Sequence, residues 1–257
     1  MIPRRFLIFV AILLLVTISV LALVPPFPQP QSYHAFADQR VLWGIPHVGD
    51  VLTNLAFLVA GLGGLQVLHR HRRELQDAQI WLLPYWLFAA GLCMVAIGSA
   101  YYHVAPSNDR LFWDRLPMSI AFMALLAAFI ADRIDPRIGK LSLVPLLILG
   151  AATVLYWRTT DDLRPYFLMQ GTLIASLVAV SAMFPPGKSL RGGNFTALAG
   201  FYILAVVCEQ RDTQLWELLG HTISGHNIKH VAAAAAAGAV VVHLRDEAVK
   251  RRAAARA

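Results

Sequence analysis

Five residues with catalytic or metal-binding side chains lie at the ends of long apolar runs. Ser99 and His103 close one run, Asp114 opens the next, and His226 and His230 open the last. A helix rises about 1.5 Å per residue, so each pair with four-residue spacing shares one helix face about 6 Å apart along the axis. Three imidazoles, a carboxylate and a hydroxyl are the side chains that metal-dependent hydrolysis requires.

This set of side chains predicts a catalytic zinc site. Zinc on His103, His226 and His230 keeps a fourth tetrahedral position for water, whose pKa it lowers to about 7. Asp114 is then the general base that passes a proton to the leaving group, and Ser99 orients the water or donates to an oxyanion. The alternatives are ordinary hydrogen bonds of these histidines within a helix bundle, and a capping role for Asp114.

The composition defines the elements that must position these residues. Of 257 residues, 58% are hydrophobic and 14% are charged, whereas soluble domains carry about 25% charged residues. These numbers exclude a soluble globular fold, intrinsic disorder, a coiled coil and a disulfide framework. Cys93 and Cys208 both lie in apolar runs and are expected to act as small core residues. The sequence therefore predicts an all-α integral membrane protein.

Eight apolar runs are long enough or nearly long enough to cross a bilayer, which takes about 20 residues. They are Phe6–Val24, Val51–Leu68, Ile80–Tyr102, Asp114–Ala131, Leu141–Trp157, Tyr166–Phe184, Phe195–Cys208 and His226–Leu244. Phe195–Cys208 is the shortest of them. The first run is predicted to be an uncleaved anchor, with a cleaved signal peptide as the alternative.

The distribution of Lys and Arg predicts the orientation. With the N-terminus inside, the cytoplasmic segments hold 15 of the 22 basic residues, including Lys188 and Arg191 in one loop. Such an excess is typical of cytoplasmic loops, and it explains the net charge without a nucleic-acid partner. Both termini are then cytoplasmic, and all five polar residues named above lie at one depth on the non-cytoplasmic side. The location expected is the cell (inner) membrane.

These site residues resemble those of the alkaline ceramidase family, and of its bacterial members in particular. The family belongs to a superfamily of membrane hydrolases that includes adiponectin-receptor-like proteins. The resemblance rests on Ser99-x₃-His103, on Asp114 eleven residues further on, on Asp114-Arg115-Leu116-Pro117-Met118 and on His226-x₃-His230. It implies a seven-helix hydrolase core over residues 33–244. Residues 1–32 would be an additional N-terminal anchor and linker, and residues 245–257 a basic cytoplasmic tail.

The resemblance also implies an activity. This is zinc-dependent hydrolysis of the N-acyl amide of ceramide-like membrane lipids, which releases a fatty acid and a sphingoid base. Two alternatives stay open: hydrolysis of an ester in a phospholipid or lipid anchor, and a non-enzymatic receptor-like protein with a structural metal site. The exact lipid and the oligomeric state are not predicted.

The sequence departs from the family at two places. Arg115 stands where the family has Glu, and the segment around Asp38 is less acidic than the one that binds calcium in eukaryotic members. Calcium on Asp38 and Asp50 is therefore an alternative to the favoured roles, which are an Asp38–Arg40 ion pair or a helix cap. Three further expectations concern polar residues elsewhere. Glu209 and Asp212 are expected to cap or lie in a loop, with contact to a substrate amine or an ion as the alternative. His221 is expected in a loop, with support of a ligand histidine as the alternative, and solvated positions or lipid head-group contacts are expected for His69, His71 and His243.

Overall fold

The chain is built from helices, as a computed structural model that describes residues 3–184 and 193–256 shows. The helices are α1 (Arg4–Leu23), α2 (Val48–Thr53), α3 (Leu55–Arg70), α4 (Arg72–Asp77), α5 (Leu83–Val104), α6 (Asn108–Arg133), α7 (Pro136–Thr160), α8 (Arg164–Met183), α9 (Gly193–Gln210), α10 (Asp212–Leu218) and α11 (Gly225–Ala254). A short 3-10 helix, Gln31–His34, lies between α1 and α2, and no β-strand occurs in the described part of the chain. The predicted all-α fold is confirmed.

Seven helical segments of the described chain are long and apolar enough to cross a membrane. One of them joins α2 and α3 as Val48–Arg70, and another is the N-terminal α1. The predicted span Phe195–Cys208 forms α9, an apolar helix of 18 residues that is shorter than the others. The loop that contains Lys188 and Arg191 lies outside the described residues. The protein is thus a multi-pass membrane protein.

Helix α6 forms the centre of the bundle. It packs against α5, α7 and α8, while α11 packs against α9, α3 and α2. Apolar side chains of α6 such as Met123 and Phe129 are almost fully buried. His243 on α11 is also buried and contacts Asn194, so its predicted solvated position is wrong. Its neighbours in the folded bundle, rather than in sequence, decide its burial.

Helix α6 starts earlier than the apolar pattern predicts. It begins at Asn108, and Ser107 is the N-cap, because the Ser107 hydroxyl accepts a hydrogen bond from the Arg110 backbone N–H. Asp114 consequently lies nearly two turns inside the helix. The alternative in which Asp114 caps this helix is wrong, because Ser107 is the N-cap.

A proline and a glycine bring α5 and α6 together beside Ser99 and Asp114. Pro117 lies inside α6 and has no N–H to donate to the Trp113 carbonyl one turn earlier. A Cβ atom added at Gly98 would collide with this same carbonyl oxygen. Only glycine therefore lets α5 approach at this level, in the manner of small residues at membrane helix contacts.

The N-terminus of α11 is fixed by a capping box and a second close approach. The Ser224 hydroxyl accepts from the Asn227 backbone N–H at 3.0 Å, and the Asn227 side chain accepts from the Ser224 backbone N–H at 3.1 Å. A Cβ atom at Gly225 would collide with the Cys208 carbonyl. The first turn of α11 is thus held against the end of α9, which sets the direction of His226 and His230.

Candidate metal centre

The three predicted histidine ligands meet between the end of α5 and the start of α11. His103, His226 and His230 are all buried, and their ligand atoms lie within 4.8 Å of one another. The Nε2 atoms of His103 and His226 are 3.2 Å apart. Two nitrogens bound to one tetrahedral zinc at about 2.0–2.1 Å lie about 3.3 Å apart, so this pair fits a shared metal ion.

Polar contacts at the far side of two rings direct the remaining nitrogens toward the centre of the cluster. His226 Nδ1 lies 3.1 Å from Glu209 Oε2, and a carboxylate can only accept here, so Nδ1 carries the proton. His230 Nδ1 lies 2.9 Å from Thr53 Oγ1, whose own proton goes to the Gly49 carbonyl at 2.8 Å. In both rings, Nε2 is left with the lone pair that a metal requires.

The third ring contributes an unpaired nitrogen. His103 Nδ1 is buried and has no hydrogen-bond partner among the described residues. Its ring centroid lies 4.8 Å from that of His226 and 5.0 Å from that of His230. The His103 nitrogen that faces His226, and that a shared metal ion would bind, is Nε2, so Nδ1 stays without a partner.

A half-buried ion pair lies beside His226. Lys229 Nζ lies 2.8 Å from Glu209 Oε2, the same oxygen that lies 3.1 Å from His226 Nδ1. Lys229 is three residues after His226 and therefore lies on the same face of α11. The lysine is the counter-ion of Glu209, whose carboxylate lies against the imidazole. The predicted capping or loop role of Glu209 is wrong, because its carboxylate faces the histidine cluster.

Ser99 and Asp114 lie together at the contact between α5 and α6. The Ser99 hydroxyl and the Asp114 carboxylate lie close enough to interact. Ser99 is one turn before His103 and is buried, while Asp114 is half-buried. Asp114 also interacts electrostatically with His226 and Lys229, so the carboxylate, the hydroxyl and the histidine cluster share one polar interior.

The segment between α1 and α2, residues 24–47, covers the histidines and is called the strap. The Phe36 ring centroid is 4.6 Å from the centroids of both His103 and His226, and Phe36 is buried. Asp212 ties the strap to α11, accepting from the Ala37 N–H at 2.9 Å and from the His226 N–H at 2.7 Å. This is the capping role predicted for Asp212.

The acidic residues named for calcium have other partners. Arg40 donates to both carboxylate oxygens of Asp38, at 2.8 and 2.6 Å, which raises the pKa of Arg40. The favoured Asp38–Arg40 ion pair is therefore confirmed. Asp50 lies in the first turn of α2, not at its N-cap, and accepts from Asn227 Nδ2 at 2.6 Å. A calcium ion would have to compete with a guanidinium already bound to Asp38.

Sequence reasoning missed several residues at the site. Phe36 and Thr53 carry no local signal, because an aromatic in a loop and a threonine in a helix are common anywhere. Lys229 offered a signal, since a lysine between two predicted metal ligands is unusual in an apolar helix. The loop position of His221 is confirmed: this exposed ring packs against Trp216.

The number of donors indicates what kind of metal site this is. Within the described ranges, the group of His, Cys, Asp and Glu donors close enough to share an ion contains the three histidines and no fourth member. Structural zinc sites usually have four protein ligands, whereas catalytic sites have three and an open position. The fold and site thus define a multi-pass helical membrane protein with a buried three-histidine cluster that can hold a metal ion.

The comparisons with known proteins add no identification. The chain matches no protein-family model and no curated protein. The resemblance to ceramidases therefore stays a prediction, carried by the residues of the site alone.

Proposed function

We propose that this protein is a zinc-dependent membrane hydrolase that cleaves the N-acyl amide bond of ceramide-like lipids. The observation that carries the proposal is the histidine cluster with three donors and with the Ser99–Asp114 pair in the same polar interior. The resemblance of these motifs to the alkaline ceramidases supports the amide as the bond that is cleaved. His103, His226 and His230 would hold the metal.

A bound zinc ion supplies a water of lowered pKa and polarises the scissile carbonyl. The chain's own residues do the rest. Asp114 accepts a proton from the attacking water and returns it to the departing amine nitrogen, which leaves as a sphingoid base. Ser99 orients the attacking water or donates to the oxyanion, as its hydroxyl lies near the Asp114 carboxylate. Phe36 excludes bulk water from the histidines, which strengthens electrostatic interactions at the site.

The position of the site supports a lipid as the substrate. The site lies at one end of a bundle whose helices are long enough to cross a membrane, so a bilayer lipid can present its head group there. We infer from the Lys and Arg pattern that this end faces the non-cytoplasmic leaflet and that both termini are cytoplasmic. The same chemistry cleaves an ester, and the experiment below includes one.

The test combines metal analysis with lipid hydrolysis by purified protein. We expect about one zinc per chain, and release of fatty acid from ceramide in preference to a matched ester lipid. Asp114→Asn keeps the side-chain size but cannot take up a proton, so turnover should fall by roughly 10²–10⁴-fold with zinc content unchanged. Ser99→Ala should cost less than Asp114→Asn.

Asp109→Asn is the matched control, because Asp109 is an exposed carboxylate in the first turn of the same helix. Its turnover should equal that of the wild type. Unchanged zinc content in His103→Ala, His226→Ala and His230→Ala alike would show that the metal assignment is wrong. Normal zinc with normal turnover in Asp114→Asn would remove Asp114 from the mechanism.

A further inference from the structure

Arg115 is a buried cation without an anionic partner among the described residues. Arg115 is only 4% exposed. No carboxylate of the described chain lies within ion-pair distance of its guanidinium. One of its terminal nitrogens, Nη1, is buried and makes no hydrogen bond among these residues. Buried charges in proteins are normally paired, so an unused guanidinium N–H at this depth needs an explanation.

Aromatic rings and one amide surround the guanidinium. Its central carbon lies 4.3 Å from the ring centroid of Trp157, 4.8 Å from that of Tyr166 and 5.6 Å from that of Tyr33. Nη2 donates to Gln29 Oε1 at 2.6 Å. The rings stabilise the charge through cation–π contacts and fix the plane of the fork. They leave Nη1 without a hydrogen-bond partner among the described residues.

The cation lies beside the proposed catalytic groups. Arg115 follows Asp114 directly in α6, and both interact electrostatically with Tyr33 and Tyr166. Tyr33 interacts in addition with Lys229, which adjoins the ligand His230. Gln29 and Tyr33, which contact the guanidinium, both belong to the strap that also carries Phe36 over the histidines. A molecule held at Arg115 would therefore contact the strap, which also covers the histidines through Phe36.

We propose that Arg115 binds an anionic head group, a carboxylate or a phosphate, of the lipid amide, with this group taking the place of the Gln29 amide. This inference rests on the proposed function and specifies, among ceramide-like lipid amides, those that carry an anionic group near the amide. A guanidinium fork matches the two oxygens of a carboxylate or phosphate. Gln29 offers the guanidinium one neutral acceptor oxygen. A carboxylate or phosphate offers a negative charge and more lone pairs, so it binds the guanidinium more strongly.

The experiment compares three probes with the same acyl chain. N-oleoylglycine carries a carboxylate, N-oleoylethanolamine phosphate carries a phosphate, and N-oleoylethanolamine is the neutral counterpart. Affinity is measured with the purified metal-loaded protein from the concentration dependence of its thermal stabilisation, and hydrolysis is measured on the same samples. We expect at least one anionic probe to bind about tenfold or more tighter than the neutral one, the effect of a hydrogen bond to a charged group.

Arg115→Gln should reduce this preference to about twofold or less, with affinity for the neutral probe unchanged. Because removal of a buried arginine can impair folding, Gln29→Glu is the second variant. It keeps Arg115 but places a competing carboxylate against it, so it should weaken the anionic probes about tenfold. Arg158→Gln is the matched control, since Arg158 also stacks on an aromatic ring at this end but is exposed.

The outcomes separate this inference from the proposed function. If no amide is hydrolysed but the Arg115-dependent anion preference is present, the inference stands and the proposed function is wrong. If amides are hydrolysed and the wild type binds charged and neutral probes alike, the inference is overturned. It is also overturned if Gln29→Glu and Arg115→Gln keep the wild-type preference. The anionic probe that binds more tightly identifies the head group as a carboxylate or a phosphate.

Discussion

Glu209 gives the sharpest test of how the protein prepares the histidine cluster for a metal ion. The substitution Glu209→Gln keeps the length of the side chain but removes its charge. In the structure, Glu209 Oε2 lies 3.1 Å from His226 Nδ1 and 2.8 Å from Lys229 Nζ. The variant therefore weakens the bond that keeps the His226 proton on Nδ1, and it leaves the Lys229 ammonium without its counter-ion.

The expected loss follows from these two contacts. A carboxylate that orients a metal-bound histidine is worth about 10–100-fold in metal affinity, or about 1.4–2.7 kcal/mol. The upper part of this range applies, because the unpaired Lys229 charge adjoins the histidines and repels a cation. Zinc affinity should thus fall by close to 100-fold, while the fold is retained.

The assay is a titration of zinc against a chromophoric chelator with detergent-solubilised protein. Glu217→Gln is the control, since Glu217 is an exposed glutamate on the nearby α10. The double variant Glu209→Gln with Lys229→Met removes the unpaired charge as well. It should regain the thermal stability of the wild type and the part of the zinc affinity that the lysine charge removed, and stay about tenfold below the wild type in affinity.

Zinc affinity within twofold of the wild type in Glu209→Gln would refute this reasoning. So would a double variant that recovers both stability and affinity, because the effect would then come from the stranded lysine rather than from the orientation of His226. Circular dichroism and the unfolding temperature separate either result from a general loss of structure.

Three further predictions test the surroundings of the site. Gly98→Val should lower the unfolding temperature strongly, because the new side chain would collide with the Trp113 carbonyl. Gly63→Ala is the control and should not lower it, because Gly63 has open space around it. Equal effects of the two substitutions would contradict the close approach of α5 and α6. Phe36→Ala should accelerate zinc loss to a chelator, because it uncovers two of the histidines, and an unchanged rate would mean that the strap does not shield them. A cysteine in place of the exposed Asp109 should react with an impermeant maleimide added outside the cell. A cysteine in place of the exposed Arg137 should not react. The opposite labelling pattern would reverse the proposed orientation.

The sequence by itself determined the class of the fold and the members of the histidine cluster. Apolar runs of about 20 residues leave the backbone no alternative to helices in lipid, so the spans could be found without tertiary information. His226 and His230 share a helix face by their spacing. His103 joins them because consecutive spans alternate in direction, which brings the end of one run and the start of another to the same depth.

The tertiary structure alone decided which groups surround that cluster. Hydropathy does not fix the rotation of one helix against its neighbour, and packing at Gly98 and Gly225 sets it here. Glu209 and Thr53 therefore became partners of His226 and His230 only in the folded bundle. The sequence placed Asp114 at a helix start because its apolar run begins there, but Ser107 caps α6 two turns earlier. Local pattern reports which residues enter the membrane, whereas contacts between residues distant in sequence report what each polar group can do there.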